Sequence, residues 1–590
     1  MRMALVGITG AEPSLASWRV LLDRAGAPYE VLALEHPAGP RRLLAGMRSA
    51  RFQALIVANA ELPEVALSSA ERDELAALEA AFGIRRLVSY AYPQAALGLR
   101  APVWAGRLDG LEARLTRGGR RVFPYLRSLE LDCDTWGYLA SPVSAARFEL
   151  LLAAPDGSAL LGVHRDGDER ETMVQTFAAS PTQRHALLLR FGQLAWLSRG
   201  AHLGFERNYL PLHVDDVLLG NHSWDLTTHS SCADPRAAIR MTAEDGVYAA
   251  RWARARGLRL DLVCNGHGSE RHRTEAGVPE DGLLDALLRY RQRFGWINHT
   301  YAHRNLDAAP RSVIEDEIKR NVAWARRFGI ELEPDALVTG EHSGLANLGT
   351  TPERAENPEL RSALREVGVR YIACDASRPY RTAGAPAASE IAPGLPFAIG
   401  PALAIPRHPT ALPFDAATKE QAIDRWRSSE RDDASAPWEE LVRAEAARIF
   451  IAMLSNDPRP HYFHQSNLVT ATHGASPEGG LLYELIDAVL DRYERFVLDM
   501  PIVQPTLGAI GGLIQDRAAW GAARAAGSVV AYREQSAVRI ENRSSSAVPV
   551  PLTGVQGGTR YGAARSGWVL AEPGKTVVAL ARSPAAARAA

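Results

Sequence analysis

A chain of 590 residues is too long for one hydrophobic core and should divide into roughly three or four domains. Its 46% apolar and 23% charged content is that of ordinary globular protein, and a formal net charge of -1 gives no global field favouring nucleic acid or an anionic membrane. No run reaches the roughly 18 apolar residues of a membrane span, so partner choice has to come from a local site.

The first stretch, "MRMALVGITGAEPS", is too short in its apolar run for an export signal with a cleavage site and reads as a buried strand. Up to about residue 95, "MALVGI", "SLASWRVLLDRAG", "YEVLALE", "FQALIVAN", "SSAERDELAALEAAFG" and "RRLVSY" alternate strand and helix, the rhythm of a small parallel sheet. "GITG" lacks the spacings of a phosphate loop. No cysteine near the third or fourth strand supplies a glutaminase nucleophile. From about 100 to 200 the segments shorten, with a hairpin expected around Pro155-Asp156-Gly157 and a helix in "RHALLLRFGQLAWLSR". Residues 1–200 thus form an N-terminal α/β and β-rich module.

Residues 205–500 are the most regular part. "NYLPLHVDD", "LRLDLVCNG", "WINHTYAH", "ALVTGEHSG", "VRYIACDAS" and "HYFHQSNLV" are strand-like and are separated by helical patterns. One helix is expected from Ser312 to Gly329, with Ser312 and Glu315 at capping-box spacing. A loop-rich insertion is expected up to about 435. The fold class is α/β: a distorted parallel (β/α) barrel, whose polar residues follow the strand cores, where barrel enzymes place their active sites. Residues 505–582 alternate with period two and carry no long helical pattern, which predicts a small C-terminal all-β domain; the tail 583–590 is expected to be disordered.

Three strand ends carry chemistry. "HVDDV" presents Asp215 and Asp216, "WINHTYAHRNLD" presents His299 and His303, and "HYFHQSNL" presents His464. Each alone has a bland reading: a solvated turn for the aspartates, a helix face for the histidine pair, a core or loop position for His464. Together, in order and each after a strand, one carboxylate and two imidazoles suit a divalent metal such as zinc with positions left for water and substrate. A second carboxylate as base and a further histidine as acid suit hydrolysis of an amide or ester. The four cysteines, Cys133, Cys232, Cys264 and Cys374, lie far apart without CxxC spacing and read as buried thiols, not zinc ligands. His222, His267 and His342 remain open between cleft and loop, and Trp224 and Tyr301 between sugar stacking and packing.

"HVDDV" resembles the first motif of the polysaccharide deacetylase (NodB homology) family and "NHTYAH" its second, a His-Ser/Thr-x-x-His metal motif; "YFHQSNL" resembles its late histidine motif. With "TGEHSG" in a large chain, the pattern is most similar to the galactosaminogalactan deacetylases of fungi and their bacterial relatives. The resemblance implies a metal-dependent carbohydrate esterase or amidase that removes N-acetyl groups from an amino-sugar polysaccharide and carries a carbohydrate-binding module. It implies Asp215 as base, Asp216, His299 and His303 as metal ligands, and His464 as acid. Asp375 stands near the later acidic motif. The chain departs at Gly340-Glu341-His342-Ser343-Gly344, where common members have Arg-x-Pro-x-Gly, so the arginine that orients the base is expected to be missing and Glu341 or His342 to take another role. A non-catalytic carbohydrate-binding protein on a degenerate barrel is the alternative, and a small-amide or peptide hydrolase a third reading. The substrate class points to an extracellular or envelope location, although the N-terminus shows no ordinary signal.

Overall fold

The computed structural model describes residues 1–36, 38–44, 50–59, 66–345, 356–377, 396, 398–428, 437–470 and 480–580. The tail expected to be disordered, 583–590, lies outside them.

The N-terminal region builds one nine-stranded sheet. Strands Tyr29–Ala33, Met3–Gly7, Ala54–Val57 and Arg85–Val88 run parallel, and Glu171–Gln175 joins the last of them, also in parallel. Ala159–Arg165 and Phe148–Ala153 then continue antiparallel. The hairpin expected at Pro155-Asp156-Gly157 is present: Gly157 takes φ 91°, and Asp156 Oδ1 accepts from Ser158 N. The α/β and β-rich halves therefore share a single sheet.

The central region is a closed ring of seven parallel strands. We number them β1 (Leu212–Asp215), β2 (Leu260–Cys264), β3 (Gly295–Asn298), β4 (Ala336–Val338), β5 (Tyr371–Asp375), β6 (Ala402–Pro409) and β7 (His461–His464). Each pairs with the next, and β7 pairs with β1 to close the barrel. The short apolar cores are buried on both faces, as strands enclosed by helices must be. The helix expected from Ser312 begins instead at Arg311, with Pro310 before it and no side-chain cap. Glu315 is drawn off by Arg311 and Lys319 one turn away on either side, which is why the capping box does not form.

Inside the ring, Val263, Ile297, Ala336, Val338, Tyr371, Ala373, Leu403 and Ile405 form a core with Leu507, Ile510 and Ile514. Those last three belong to a 20-residue helix, Leu507–Ala526, that plugs the end of the barrel where β4 and β5 begin. Glu333 accepts from the free amides of Leu507 and Gly508 and so caps the plug helix. The region from 505 is thus not all-β from its start. Alanine and glycine dilute the helix's apolar stripe, and glycines at 508, 511 and 512 weaken its propensity, so its period was hidden. Strands begin at Val529 and form a three-stranded sheet with Ala537–Asn542 and Gly574–Ala579. A second sheet pairs Val548–Thr553 with Ala564–Ala571 and with His202–Leu203 from before the barrel. Trp520 and Ala523, late in the plug helix, enter this C-terminal core.

Candidate active site

The candidate residues gather at the ends where the barrel strands finish. Asp215 is the last residue of β1 and lies in register with His464, the last residue of β7. Asp216 follows with φ 62°, a left-handed conformation that turns its carboxylate into the barrel mouth beside that of Asp215. Thr300 (φ 62°) and His303 (φ 56°) make a similar turn after β3, and Glu341 (φ 56°) and His342 (φ 53°) after β4. Side chains in this region cost of order 1–3 kcal/mol each and persist where surrounding contacts over-determine them. Here the strain bends three strand ends toward one point.

His299 and His303 therefore lie on a turn, not on a helix face. His299 Nδ1 stands 2.9 Å from Val338 O. A carbonyl only accepts, so Nδ1 carries the proton and Nε2 is bare toward the mouth. Gly340 packs against the ring of His303: a Cβ on this glycine would meet three ring atoms at 2.9 Å. Asn221 Nδ2 donates to Asp216 Oδ2 at 2.8 Å and turns Oδ1 inward. Asp216 Oδ1 is then 3.2 Å from Nε2 of both His299 and His303.

The donor atoms of Asp216, His299 and His303 all lie within 4.8 Å of one another, and they form the one such group of three among the described residues. Asp216 Oδ1 is buried and has no hydrogen bond. A bare carboxylate oxygen facing a bare imidazole nitrogen is repulsive unless a cation lies between or a ring takes a second proton. The donor set and the unsatisfied oxygen therefore fit a divalent metal. Burial raises the pKa of Asp216, but the two histidines more than reverse this and hold the carboxyl well below the usual range.

Asp215 has the partner expected to be missing. Arg407, on β6, donates from Nη1 to Oδ1 and from Nη2 to Oδ2, both at 2.7 Å. The guanidinium is fully buried, and its Nη2 also donates to His342 Nε2 at 2.7 Å. An arginine has no acceptor, so His342 is held as the Nδ1-protonated tautomer. Burial raises the Asp215 pKa, and Arg407 overrides it, leaving the carboxyl ionised. Tyr462 stacks its ring 4.4 Å from the guanidinium carbon and donates its hydroxyl to Asp375 Oδ2 at 3.0 Å. Asp375 thus orients Tyr462, which packs against the arginine that holds the base.

The Arg-x-Pro spacing sought at 340–344 stands at Arg407-His408-Pro409. Pro406 and Pro409 make this strand look like loop in the sequence, within the insertion expected up to about 435. The Gly340–Gly344 turn has a different job: Gly340 supports His303, His342 supports Arg407, and Ser343 Oγ accepts from Leu306 N. Glu341 is exposed and accepts from Asn305 Nδ2 at 3.1 Å.

Trp224 and Tyr301 present no open ring to a sugar. Trp224 is buried, donates Nε1 to Asp424 and lies under Arg425 at 4.7 Å. Tyr301 is buried under Arg320 at 4.2 Å, with its hydroxyl on Glu270. Both are packing residues. His267 lies against Tyr301, with ring centroids 5.5 Å apart. His464 stands among Phe414 (5.7 Å) and Tyr462 (6.0 Å); burial lowers its pKa, with Asp216 and Asp215 opposing the shift.

Residues 280–524 match the family described as the Agd3 deacetylase domain. The match includes His299, His303, His342, Asp375, Arg407 and His464, whereas Asp215 and Asp216 precede it. The solved structure of Agd3, described as a novel carbohydrate deacetylase, superposes with a TM-score of 0.80 at 17% identity over 98% of both chains, and so shares the whole fold. A family 4 carbohydrate esterase from Streptomyces lividans covers 51% of this chain and 100% of its own, at 11% identity and a TM-score of 0.24. A putative polysaccharide deacetylase from Mycobacterium smegmatis covers 49% of this chain and 85% of its own, at 11% identity and a TM-score of 0.28. No curated protein matches the chain in sequence.

Proposed function

Starting from the match of residues 280–524 to the Agd3 deacetylase domain family, we propose that the chain is a metal-dependent carbohydrate deacetylase that removes N-acetyl groups from an amino-sugar polysaccharide of the galactosaminogalactan type. The observation that carries this reading is the pairing of a largely buried Asp–His–His donor set with a second, arginine-clamped aspartate one residue away.

A divalent ion, zinc in this proposal, held by Asp216, His299 and His303 supplies Lewis acidity toward a carbonyl and toward water. Asp215 takes a proton from the attacking water. Arg407 occupies one lone pair on each of its oxygens, which fixes the carboxylate plane and keeps it charged while the other lone pairs face the mouth. His464, aligned with Asp215 across the β1–β7 pair, gives a proton to the departing amine. Its lowered pKa makes its protonated form a ready donor. Asn221, Gly340 and Val338 hold the donor set in place.

Polymer binding by the N-terminal module belongs to the same proposal. Tyr92 (51% exposed) and Trp136 (56%) stand on its surface, and Tyr92 meets Tyr138 edge-on at 5.2 Å. An aromatic surface of this kind suits the apolar faces of sugar rings. The reading as a non-catalytic carbohydrate-binding barrel loses the feature that favoured it, because Arg407 fills the place of the missing arginine.

The test is acetate release from partly N-acetylated galactosamine and glucosamine oligomers, with metal analysis of the same preparation. Release is expected to stop with a chelator and return with added divalent ion. Asp215→Asn is expected to abolish release while retaining metal. No release from any acetylated amino-sugar, with metal shown to be bound, sinks the proposal.

A further inference from the structure

Phe414 is a large apolar side chain left 39% exposed at the barrel mouth, 5.7 Å from the ring of His464. The exposed ring of His222 lies 6.2 Å from the Phe414 ring. A single exposed phenylalanine is common on protein surfaces and by itself means little. What distinguishes this one is how firmly it is held relative to the donor set.

The loop that carries Phe414 is fastened through its carbonyls. Ser466 Oγ donates to Phe414 O at 2.6 Å, and Asn467 Nδ2 donates to Pro413 O at 2.8 Å and Ala416 O at 3.2 Å. Trp224 N donates to Asp415 O at 2.6 Å. The Ser466 amide in turn donates to Asn221 Oδ1 at 3.3 Å, as does Gln465 Nε2 at 2.8 Å. Asn221 Nδ2 holds Asp216. An unbroken chain of hydrogen bonds therefore runs from Asp216 through Asn221 and Ser466 to Phe414, with His222 as the next residue after Asn221. These bonds fix the backbone from which the ring projects. An aromatic ring fixed at a set distance from the reacting centre positions a substrate at low entropic cost.

We propose that Phe414, with His222 beside it, forms a subsite that stacks on the apolar face of a pyranose ring of the substrate polymer and sets the register of the acetamido group against Asp215 and His464. This rests on the deacetylase reading and adds to it the residue that binds the sugar. The Phe414 ring offers the stacking face, and the His222 imidazole offers polar edges to the sugar hydroxyls. It also accounts for why Trp224 and Tyr301 are free to be buried: the stacking ring is on another loop.

The experiment compares Phe414→Ala, Phe414→Leu, Phe414→Trp and His222→Ala in the full chain. Two readouts are used: KM and kcat for acetate release, and oligomer affinity by calorimetric titration in the Asp215→Asn background. Phe414→Ala and Phe414→Leu are expected to raise KM and Kd on the order of tenfold and to lower kcat as the acetamido group loses its register, and Phe414→Trp to recover most of the affinity. His222→Ala is expected to raise Kd about threefold. Kd and KM within twofold of wild type for both Phe414→Ala and Phe414→Leu overturn the subsite. If wild type releases no acetate, the deacetylase reading fails, and the titration decides the subsite alone: weaker binding for Phe414→Ala supports it, and unchanged or undetectable oligomer binding sinks it.

Discussion

Arg407 bonds three side chains at once: both oxygens of Asp215, Nε2 of His342 and, through its face, the ring of Tyr462. Removing it leaves Asp215 charged and buried without a counter-charge, which costs about 3–5 kcal/mol. Arg407→Ala is therefore expected to lower the melting temperature and to cut kcat/KM roughly 100-fold, because the carboxylate is no longer held in line. Arg407→Lys keeps the charge but not the fork, and is expected to recover the melting temperature more fully than kcat/KM. Full recovery of both in Arg407→Lys would show that charge alone matters. A milder change reaches the donor set from behind. A Cβ in Gly340→Ala meets the His303 ring at 2.9 Å and pushes it from its place. Metal affinity, read as the metal retained against graded chelator, is expected to fall about tenfold, with no change in secondary structure by circular dichroism.

At the scale of elements, the plug helix makes a sharp pair of tests. A Cβ on Gly511 meets the Tyr371 ring at 2.1 Å, whereas one on Gly512 meets nothing within 4 Å. Gly512→Ala removes chain entropy from the unfolded state at a helical position and is expected to stabilise by about 0.5–1 kcal/mol. Gly511→Ala earns the same propensity but must displace Tyr371 from the barrel interior, and is expected to destabilise by about 1–3 kcal/mol. Paired thermal melts decide it; shifts of the same sign in both variants would mean the helix does not enter the barrel. The element pattern was largely legible in the sequence. The strands from β1 to β5, and β7, read as short apolar runs with polar ends, and His299, His303, Asp215, Asp216 and His464 stood at those ends. β6 was not legible, since its prolines look like loop chemistry, and Arg407 went with it. The plug helix was hidden for the opposite reason, as its small residues make no visible stripe. Burial of Trp224 and Tyr301 under arginines from elsewhere in the chain is a tertiary fact with no local signal.

At the scale of the whole molecule, three of the buried histidines, His185, His202 and His213, lie in three different regions. Burial pushes His185 in the N-terminal region and His202 at the C-terminal sheet down to about 4, and burial with Arg407 pushes His213 inside the barrel down to about 3. In the unfolded chain these groups titrate near 6.5. Between 6.5 and about 4 the unfolded chain binds protons that the folded chain refuses, so stability is full above pH 6.5 and is lost as pH falls through that window. Each contributes about 3 kcal/mol of that loss by pH 4. The melting temperature is expected to be nearly level from pH 8 to 7 and to drop steeply from 6.5 to 4. His202→Gln is expected to flatten the drop, and an unchanged slope in that variant would remove His202 as a cause.

The ring of strands closes only when β7 pairs with β1, and the residues that meet there, Leu212 and His461, lie about 250 positions apart. At roughly 5–20 residues per second, a ribosome needs about 10–50 s to make that span. During this time β1 has left the exit tunnel with an open edge, and Asp215 lacks Arg407, which follows it by 192 positions. The nascent chain must carry two neighbouring carboxylates and an unpaired strand edge through that interval, which makes slow synthesis more hazardous for it than for an open sheet of the same length.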